Sequence, residues 1–307
     1  MTIVVAGSTG LVGSAISRAL TGRGESVIGI NRKVLDLLDR KATFEFITAA
    51  KPDLVIDAAA IVGGIGANNN FPVDFLSKNI QMQSNLMDAA HAANVERFVF
   101  LGSSCIYPRD CAQPIKEEYL MTGPLEQTNS AYAVAKIAGI ELIRSYRKQF
   151  NRKWISLMPT NMYGPNDNFD LATCHVLPAL INRFVTAEAS RENSVTLWGS
   201  GLAKREFMFV DDLATALLVA IEKYNDGMQL NVGTGEDLSI SELAVMIARL
   251  AGFNGKIDWD SSKPDGTPRK LLDVTKMKNL GWVPAISLEA GISSTIEWFK
   301  DNSMAKR

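Results

Sequence analysis

Tyr132-Ala133-Val134-Ala135-Lys136 sets a phenol and an ammonium four residues apart, so a helix through this stretch places both on one face. There the cation favours the phenolate and lowers the tyrosine pKa towards that of a usable general acid or base. A lone YxxxK is common and usually without chemistry, so its weight comes from its company. Upstream, the apolar run RFVFL closes in Gly102-Ser103-Ser104-Cys105-Ile106-Tyr107-Pro108, and open α/β sheets present their chemistry at such strand ends. From spacing alone, Cys105 reads first as a small buried apolar residue, the commonest fate of a free cysteine.

The third member of the company is Gly7-Ser8-Thr9-Gly10-Leu11-Val12-Gly13, which lies between strand-like IVVA and helix-like SAISRAL. That is the context a dinucleotide fingerprint requires, although the spacing is GxxGxxG. Gly7, Gly10 and Gly13 permit a tight turn, and the backbone around Leu11 and Val12 opens a helix whose amino end favours a pyrophosphate. The next strand, VIGI, ends in Asn31-Arg32-Lys33, where an acidic residue would hold a ribose hydroxyl and an arginine would accept a 2'-phosphate. The two cations favour NADPH over NADH. Ser8-Thr9 puts no basic residue inside the loop, which leaves Arg32 as the main support for that preference.

These residues need a scaffold, and the chain alternates strand-like and helix-like runs from its start: TIVVAG, SAISRALTGRG, SVIGINR, KATFEFITAAK, DLVIDAAA. The alternation predicts βαβ units and a doubly wound, Rossmann-like parallel sheet. It continues through NIQMQSNLMDAAHAAN, RFVFLGSS and AYAVAKIAGIELIRSYRKQF into WISLMPTNMYG. We expect a dinucleotide-binding domain over residues 1–161, to which 205–232 returns, and a smaller α/β substrate lobe from 162–204 and 233–307.

The 307 residues are 47% hydrophobic and 21% charged, ordinary for a globular protein, and the formal net charge of -1 recruits neither nucleic acid nor an anionic bilayer. No basic leader or membrane-length apolar run appears, so a cytoplasmic location is expected. Cys105, Cys111 and Cys174 form no CxxC pair, and His91 and His175 lack zinc-site spacing, so neither disulfides nor a metal site are expected. Cys111, Cys174 and His91 read as structural.

The glycine loop, Ser103, Tyr132 and Lys136 together resemble the short-chain dehydrogenase/reductase superfamily and its triad. The resemblance is narrower still. GSSCIYP, AAAIVGGIGANN (58–69), NSAYAVAKIAGI (129–140), MPTNMYGPNDNF (158–169), CHVLPAL (174–180), WGSG (198–201), REFMFVDD (205–212) and SKPDGTPRKLLDV (262–274) are similar to the GDP-L-fucose synthase family over nearly the whole chain. The resemblance implies a C3/C5 epimerase and C4 reductase acting on GDP-4-keto-6-deoxy-D-mannose with NADPH. It implies that Cys105 is the epimerisation base and His175 the acid that returns the proton. Ser103, Tyr132 and Lys136 would then serve the reduction, with Tyr132, Lys136 and His175 also at the cofactor.

Arg183, Arg205 and Lys270 match family positions near the diphosphate and nucleotide, though each could otherwise be an ordinary solvated charge. Trp198 would flank the nucleotide or pack in its short strand, and Asn161 would hydrogen-bond the sugar or fix a turn. The family is dimeric through two helices per subunit, which NIQMQSNLMDAAHAAN and AYAVAKIAGIELIRSYRKQF could supply. The rival readings are another nucleotide-sugar enzyme of this superfamily, such as a 4-epimerase or 4,6-dehydratase, and a noncatalytic NADP sensor. Ser-Ser-Cys, where dehydratases carry an acidic pair beside the serine, argues against the former, and Tyr132 with Lys136 against the latter.

Overall fold

In the computed structural model, residues 1–263 and 265–303 are described; Pro264 of the segment 262–274 and residues 304–307 lie outside them. The chain opens with β1 (Thr2–Ala6), α1 (Leu11–Gly22), β2 (Ser26–Ile30), α2 (Arg40–Ala50) and β3 (Leu54–Asp57). It goes on through α3 (Ile65–Asn70), α4 (Asn79–Ala92), β4 (Arg97–Leu101), α5 (Ser130–Phe150) and β5 (Ile155–Pro159). Then follow β6 (Asn161–Tyr163), α6 (Val176–Ala189), β7 (Ser194–Trp198), β8 (Lys204–Arg205), β9 (Phe207–Phe209), α7 (Val210–Lys223) and β10 (Leu230–Val232). The last elements are β11 (Leu238–Ser239), α8 (Ile240–Ala251), β12 (Lys256–Asp260), β13 (Arg269–Lys270), α9 (Thr275–Asn279) and α10 (Leu288–Ser303).

Six strands form one sheet in the order β10-β5-β4-β3-β1-β2, and every pairing in it is parallel. Because successive side chains on a strand face opposite sides, Val4 and Ala6 of β1 enter the core under α2, α4 and α5. Ile3 and Val5 enter the core under α1 and α7. A strand covered on both faces must be apolar at every position, which is why IVVA has no polar alternation. The order reverses around β1, so a crevice opens between the carboxyl ends of β1 and β3, where ligands of such sheets bind.

A third core, built on α6, α8 and α10, forms a lobe above this edge. Its strands are short: β6 pairs with β9, β7 with β12, and β8 lies between β11 and β13. Two of them, β8 and β9, stand on either side of Glu206. Glu206 pins the lobe to the sheet. Its buried carboxylate accepts from Gly235 N–H at 2.8 Å and Leu272 N–H at 3.0 Å, while its carbonyl accepts from Asn161 Nδ2 at 2.7 Å. The turn in Asn231-Val232-Gly233-Thr234-Gly235 is thus a seat for a carboxylate of this chain.

Candidate active site

The glycine loop is held from two sides. Ser8 donates through N–H and hydroxyl to the Ile30 carbonyl, at 3.0 and 3.1 Å, which ties the loop to the end of β2 and sets Arg32 exposed at its rim. Gly7 adopts φ 76, and a Cβ there would lie 2.7 Å from the Ala58 carbonyl oxygen. A Cβ on Gly13 would lie 2.1 Å from the Gly7 oxygen, so α1 is pressed directly onto the loop. Gly10 caps α1 without any side-chain hydrogen bond, so the N–H groups of the first turn point outward unclaimed by a capping side chain. A bare, glycine-lined helix amino end beside the β1/β3 crevice fits the pyrophosphate of a dinucleotide.

Ser103, two residues past the end of β4, caps a single turn, Ser104–Ile106, accepting from Cys105 N–H at 3.4 Å. Cys105 is 8% exposed. The turn is fixed from below: Tyr107 donates its hydroxyl to Asn231 Oδ1 at 2.6 Å, and Asn231 Nδ2 donates to the Ile115 carbonyl at 2.9 Å. Ile115 N–H in turn donates to the Leu271 carbonyl at 2.7 Å. The loop carrying Cys105 is thereby joined to the strand carrying Lys270.

Tyr132 and Lys136 share one face of α5. The Lys136 ammonium donates to the Leu101 carbonyl at 2.9 Å and lies 4.7 Å above the Phe100 ring and 5.8 Å from the Tyr132 ring centre. It therefore stands beneath the tyrosine ring, and the expected lowering of the phenol pKa does not hold in this structure. Burial, with negative charge at Cys105 and Asp57, pushes Tyr132 up. Burial pushes Lys136 down, with Asp57 and Cys105 opposing. The sequence showed the helical spacing but not the burial, which outweighs one nearby cation.

Lys270 and Arg205 are register partners on adjacent parallel strands, so two cations stand side by side. Burial lowers both, and Arg205 lowers Lys270 further. Negative charge at Cys105 acts on Lys270 in the opposite sense, and Lys270 in turn holds His175 below its usual range, after burial as the main cause. His175 stands at the N-cap of α6, exposed at the surface. The glycine segment before α3 packs on this loop, Gly64 N–H donating to the Thr173 carbonyl at 2.9 Å.

Cys105 thus acts electrostatically on Tyr132, Lys136 and Lys270, and Lys270 links to Arg205 and His175. Asn161 is turned to the Glu206 carbonyl. Arg183 and Trp198 lie further out on the lobe. Arg183 donates to the Thr196 carbonyl at 3.2 Å, and the 66% exposed Trp198 ring carries the Lys263 ammonium at 5.5 Å. Two acidic residues escaped the sequence reading. Glu126 contacts Thr267 at 3.5 Å and offsets the charges of Lys270 and Arg205. Asp57 is buried at the end of β3. Neither lies in a pattern that marks it; an acid ending an otherwise apolar strand, in LVID, is the one signal available.

His91 is structural, stacked 4.2 Å from Phe150 and accepting from Arg152 Nε at 3.1 Å. Cys111 and Cys174 are half-buried, and burial pushes the Cys174 thiol up to about 11. Among the described residues, no cluster of His, Cys, Asp or Glu could hold a metal ion, and no helix is long and apolar enough to cross a membrane.

Comparison with known proteins places the chain in a family. A family model described as the NAD dependent epimerase/dehydratase family matches residues 3–233. The chain is 49% identical to the GDP-L-fucose synthase of Escherichia coli (strain K12), over 98% of this chain and 97% of that protein. It is 47% identical to the GDP-L-fucose synthase of Sinorhizobium fredii, over 98% and 96%. A crystal structure of a GDP-L-fucose synthetase from Naegleria fowleri bound to NADP superposes with a TM-score of 0.91 at 29% identity, covering 99% of this chain and 95% of that one. The chain therefore belongs to the NAD dependent epimerase/dehydratase family and, within it, to the GDP-L-fucose synthase family.

Proposed function

We propose that this protein converts GDP-4-keto-6-deoxy-D-mannose to GDP-L-fucose with NADPH, inverting C3 and C5 and then reducing the C4 ketone. The observation that carries the reading is that Cys105, which a plain reductase does not need, lies within electrostatic reach of Tyr132 and Lys136 and is linked to His175 through Lys270. The residues that would hold the cofactor are Gly7, Gly10, Leu11, Val12 and Gly13 at the pyrophosphate, Arg32 at the 2'-phosphate, and Tyr132, Lys136 and His175 near the nicotinamide end. When bound, NADPH supplies the hydride for C4.

The chain's own residues do the rest. The hydrogens on C3 and C5 are acidic because both carbons adjoin the C4 carbonyl, so Cys105 removes a proton from one face and His175 returns one from the other. Negative charge then gathers on O4, where the hydroxyls of Ser103 and Tyr132 stabilise it. In the reductive step Tyr132 delivers its proton to the same oxygen. The raised phenol pKa keeps that proton in place until the alkoxide forms. One oxygen serves both stages, which is the reason to house them in one site.

Arg205 and Lys270 meet the diphosphate as a pair, Asn161 the sugar, and Arg183 and Trp198 the guanosine end. Their mutual repulsion is the support for this reading, because a bound dianion relieves it. We further read the protein as a cytoplasmic homodimer through α4 and α5. Exposed Phe71 and Val73, before α4, and Val134 on α5 supply apolar surface beside those helices. A monomer mass in light scattering removes that part.

The test is to mix the protein with NADPH and GDP-4-keto-6-deoxy-D-mannose, follow the loss of NADPH absorbance and identify the sugar by NMR. GDP-L-fucose supports the proposal. A reduced sugar that keeps its C3 and C5 configurations would show a plain C4 reductase, and NADPH binding without turnover overturns the substrate.

A further inference from the structure

Asp57 is 1% exposed at the carboxyl end of β3, inside the β1/β3 crevice. Its Oδ1 accepts from Ala59 N–H at 3.2 Å, and its buried Oδ2 has no hydrogen-bond partner among the described residues. A buried carboxylate oxygen left unpaired is costly and calls for compensation by a charge. Asp57 lies in register with Phe100 on β4, so their side chains leave the same face of the sheet, and Phe100 carries the Lys136 ammonium 4.7 Å above its ring. The next residue of β4, Leu101, accepts the hydrogen bond from that ammonium.

We propose that Asp57 is a positioning residue for the reductase half of the site, the fixed counter-charge that keeps the buried Lys136 protonated beneath Tyr132. This rests on the reading of Tyr132 and Lys136 as the reductive pair. The charged and titratable groups it meets are Lys136 and Tyr132 on α5, with Cys105 on the turn after β4 completing the cluster. The glycine loop opposite offers Ser8 and Thr9, which are uncharged. Lys136 loses proton affinity through burial, and Asp57 is the main group restoring it. Burial in turn pushes Asp57 up to about 6, with Lys136 holding it from rising further.

The sign follows directly. Above about pH 6 Asp57 is ionised and supports the ammonium; as the pH falls through that value, the support is lost. Asp57 also sits one residue before Ala58, whose carbonyl faces Gly7. The counter-charge and the wall of the cofactor loop therefore belong to one short rigid strand end.

The test pairs a titration with kinetics. In protein labelled with 13C at the aspartate carboxyl, one carbon should titrate near pH 6, be absent from Asp57→Asn, and shift to higher pH in Lys136→Met. This readout needs neither substrate nor turnover, so it is independent of the functional reading. In Asp57→Asn the kcat for ketone reduction should fall on the order of tenfold as the buried ammonium loses its counter-charge. KM for NADPH should hold, and Asp57→Glu should recover part of kcat. The acid limb near pH 6 that Asp57 gives the wild-type kcat profile should be absent from the variant. Should Asp57→Asn fail to fold, the wild-type and Lys136→Met titrations still decide. A midpoint in the ordinary aspartate range, or one that Lys136→Met leaves unmoved, overturns the proposal, as does unchanged kcat in folded Asp57→Asn.

Discussion

Gly13→Ala adds one methyl group at the point where α1 meets the glycine loop. In the first turn of α1 the change gains at most the helix-interior preference of alanine over glycine, about 1 kcal/mol. The new Cβ, however, would stand 2.1 Å from the Gly7 carbonyl oxygen, 2.6 Å from the Gly7 carbonyl carbon and 2.9 Å from Ser8 Cα. All three are backbone atoms, so no rotamer change relieves the contact. Nor can the loop simply retreat, since on its far side Gly7 already closes on Ala58 at a distance that excludes a Cβ. Overpacking of this kind costs about 1–3 kcal/mol, enough to cancel or exceed the propensity gain. The larger effect falls on the cofactor. Displacing the loop spoils at least one charge-assisted hydrogen bond from the first turn of α1, worth about 1.5–3 kcal/mol, so the NADPH Kd should rise roughly 10- to 150-fold. Fluorescence titration with NADPH measures the affinity, and thermal unfolding without cofactor measures the strain. Wild-type affinity in the variant would falsify the account of how the loop is held.

Four further outcomes follow from the same geometry. Cys105→Ser should abolish exchange of the C3 and C5 hydrogens with deuterated solvent while the NADPH Kd stays at the wild-type value; retained exchange would remove Cys105 as the base. Tyr132→Phe should slow reduction by about 10²–10⁴ and leave that exchange measurable, since the phenol's proton is needed only at O4 in the second stage. Lys270→Met should raise the His175 pKa, because the ammonium now holds it down, and proton NMR of the two histidines resolves the shift against His91 as internal reference. Glu206→Ala should cost about 2–6 kcal/mol by stranding the Gly235 and Leu272 N–H groups, read as a lower melting temperature with the lobe loosened first in hydrogen exchange.

The parallel sheet was legible because apolar runs of strand length alternate with helical periods, and because the glycine loop sits where strand meets helix. Both signals are local. Enzyme class and NADPH use were legible through long motifs such as GSSCIYP and SKPDGTPRKLLDV, which carry the family resemblance. The two-residue strands β8, β11 and β13 were not, since a strand that short has no period to detect. Yet it is the pairing of β8 with β13 that puts Arg205 beside Lys270.

The residues that act on one another electrostatically at the site come from distant parts of the chain, and spacing says nothing about their meeting. Local order determined Tyr132 and Lys136 as a pair, since one helical turn does that by itself. Only tertiary packing decided what the pair experiences: burial, then negative charge at Cys105 and Asp57, reverse the expected direction of the phenol shift. The same holds for Glu206, an unremarkable acid in the sequence that becomes the pin between lobe and sheet. Periodicity and motif are encoded along the chain, whereas desolvation and charge pairing depend on what closes over a residue, and that exists only once the fold has formed.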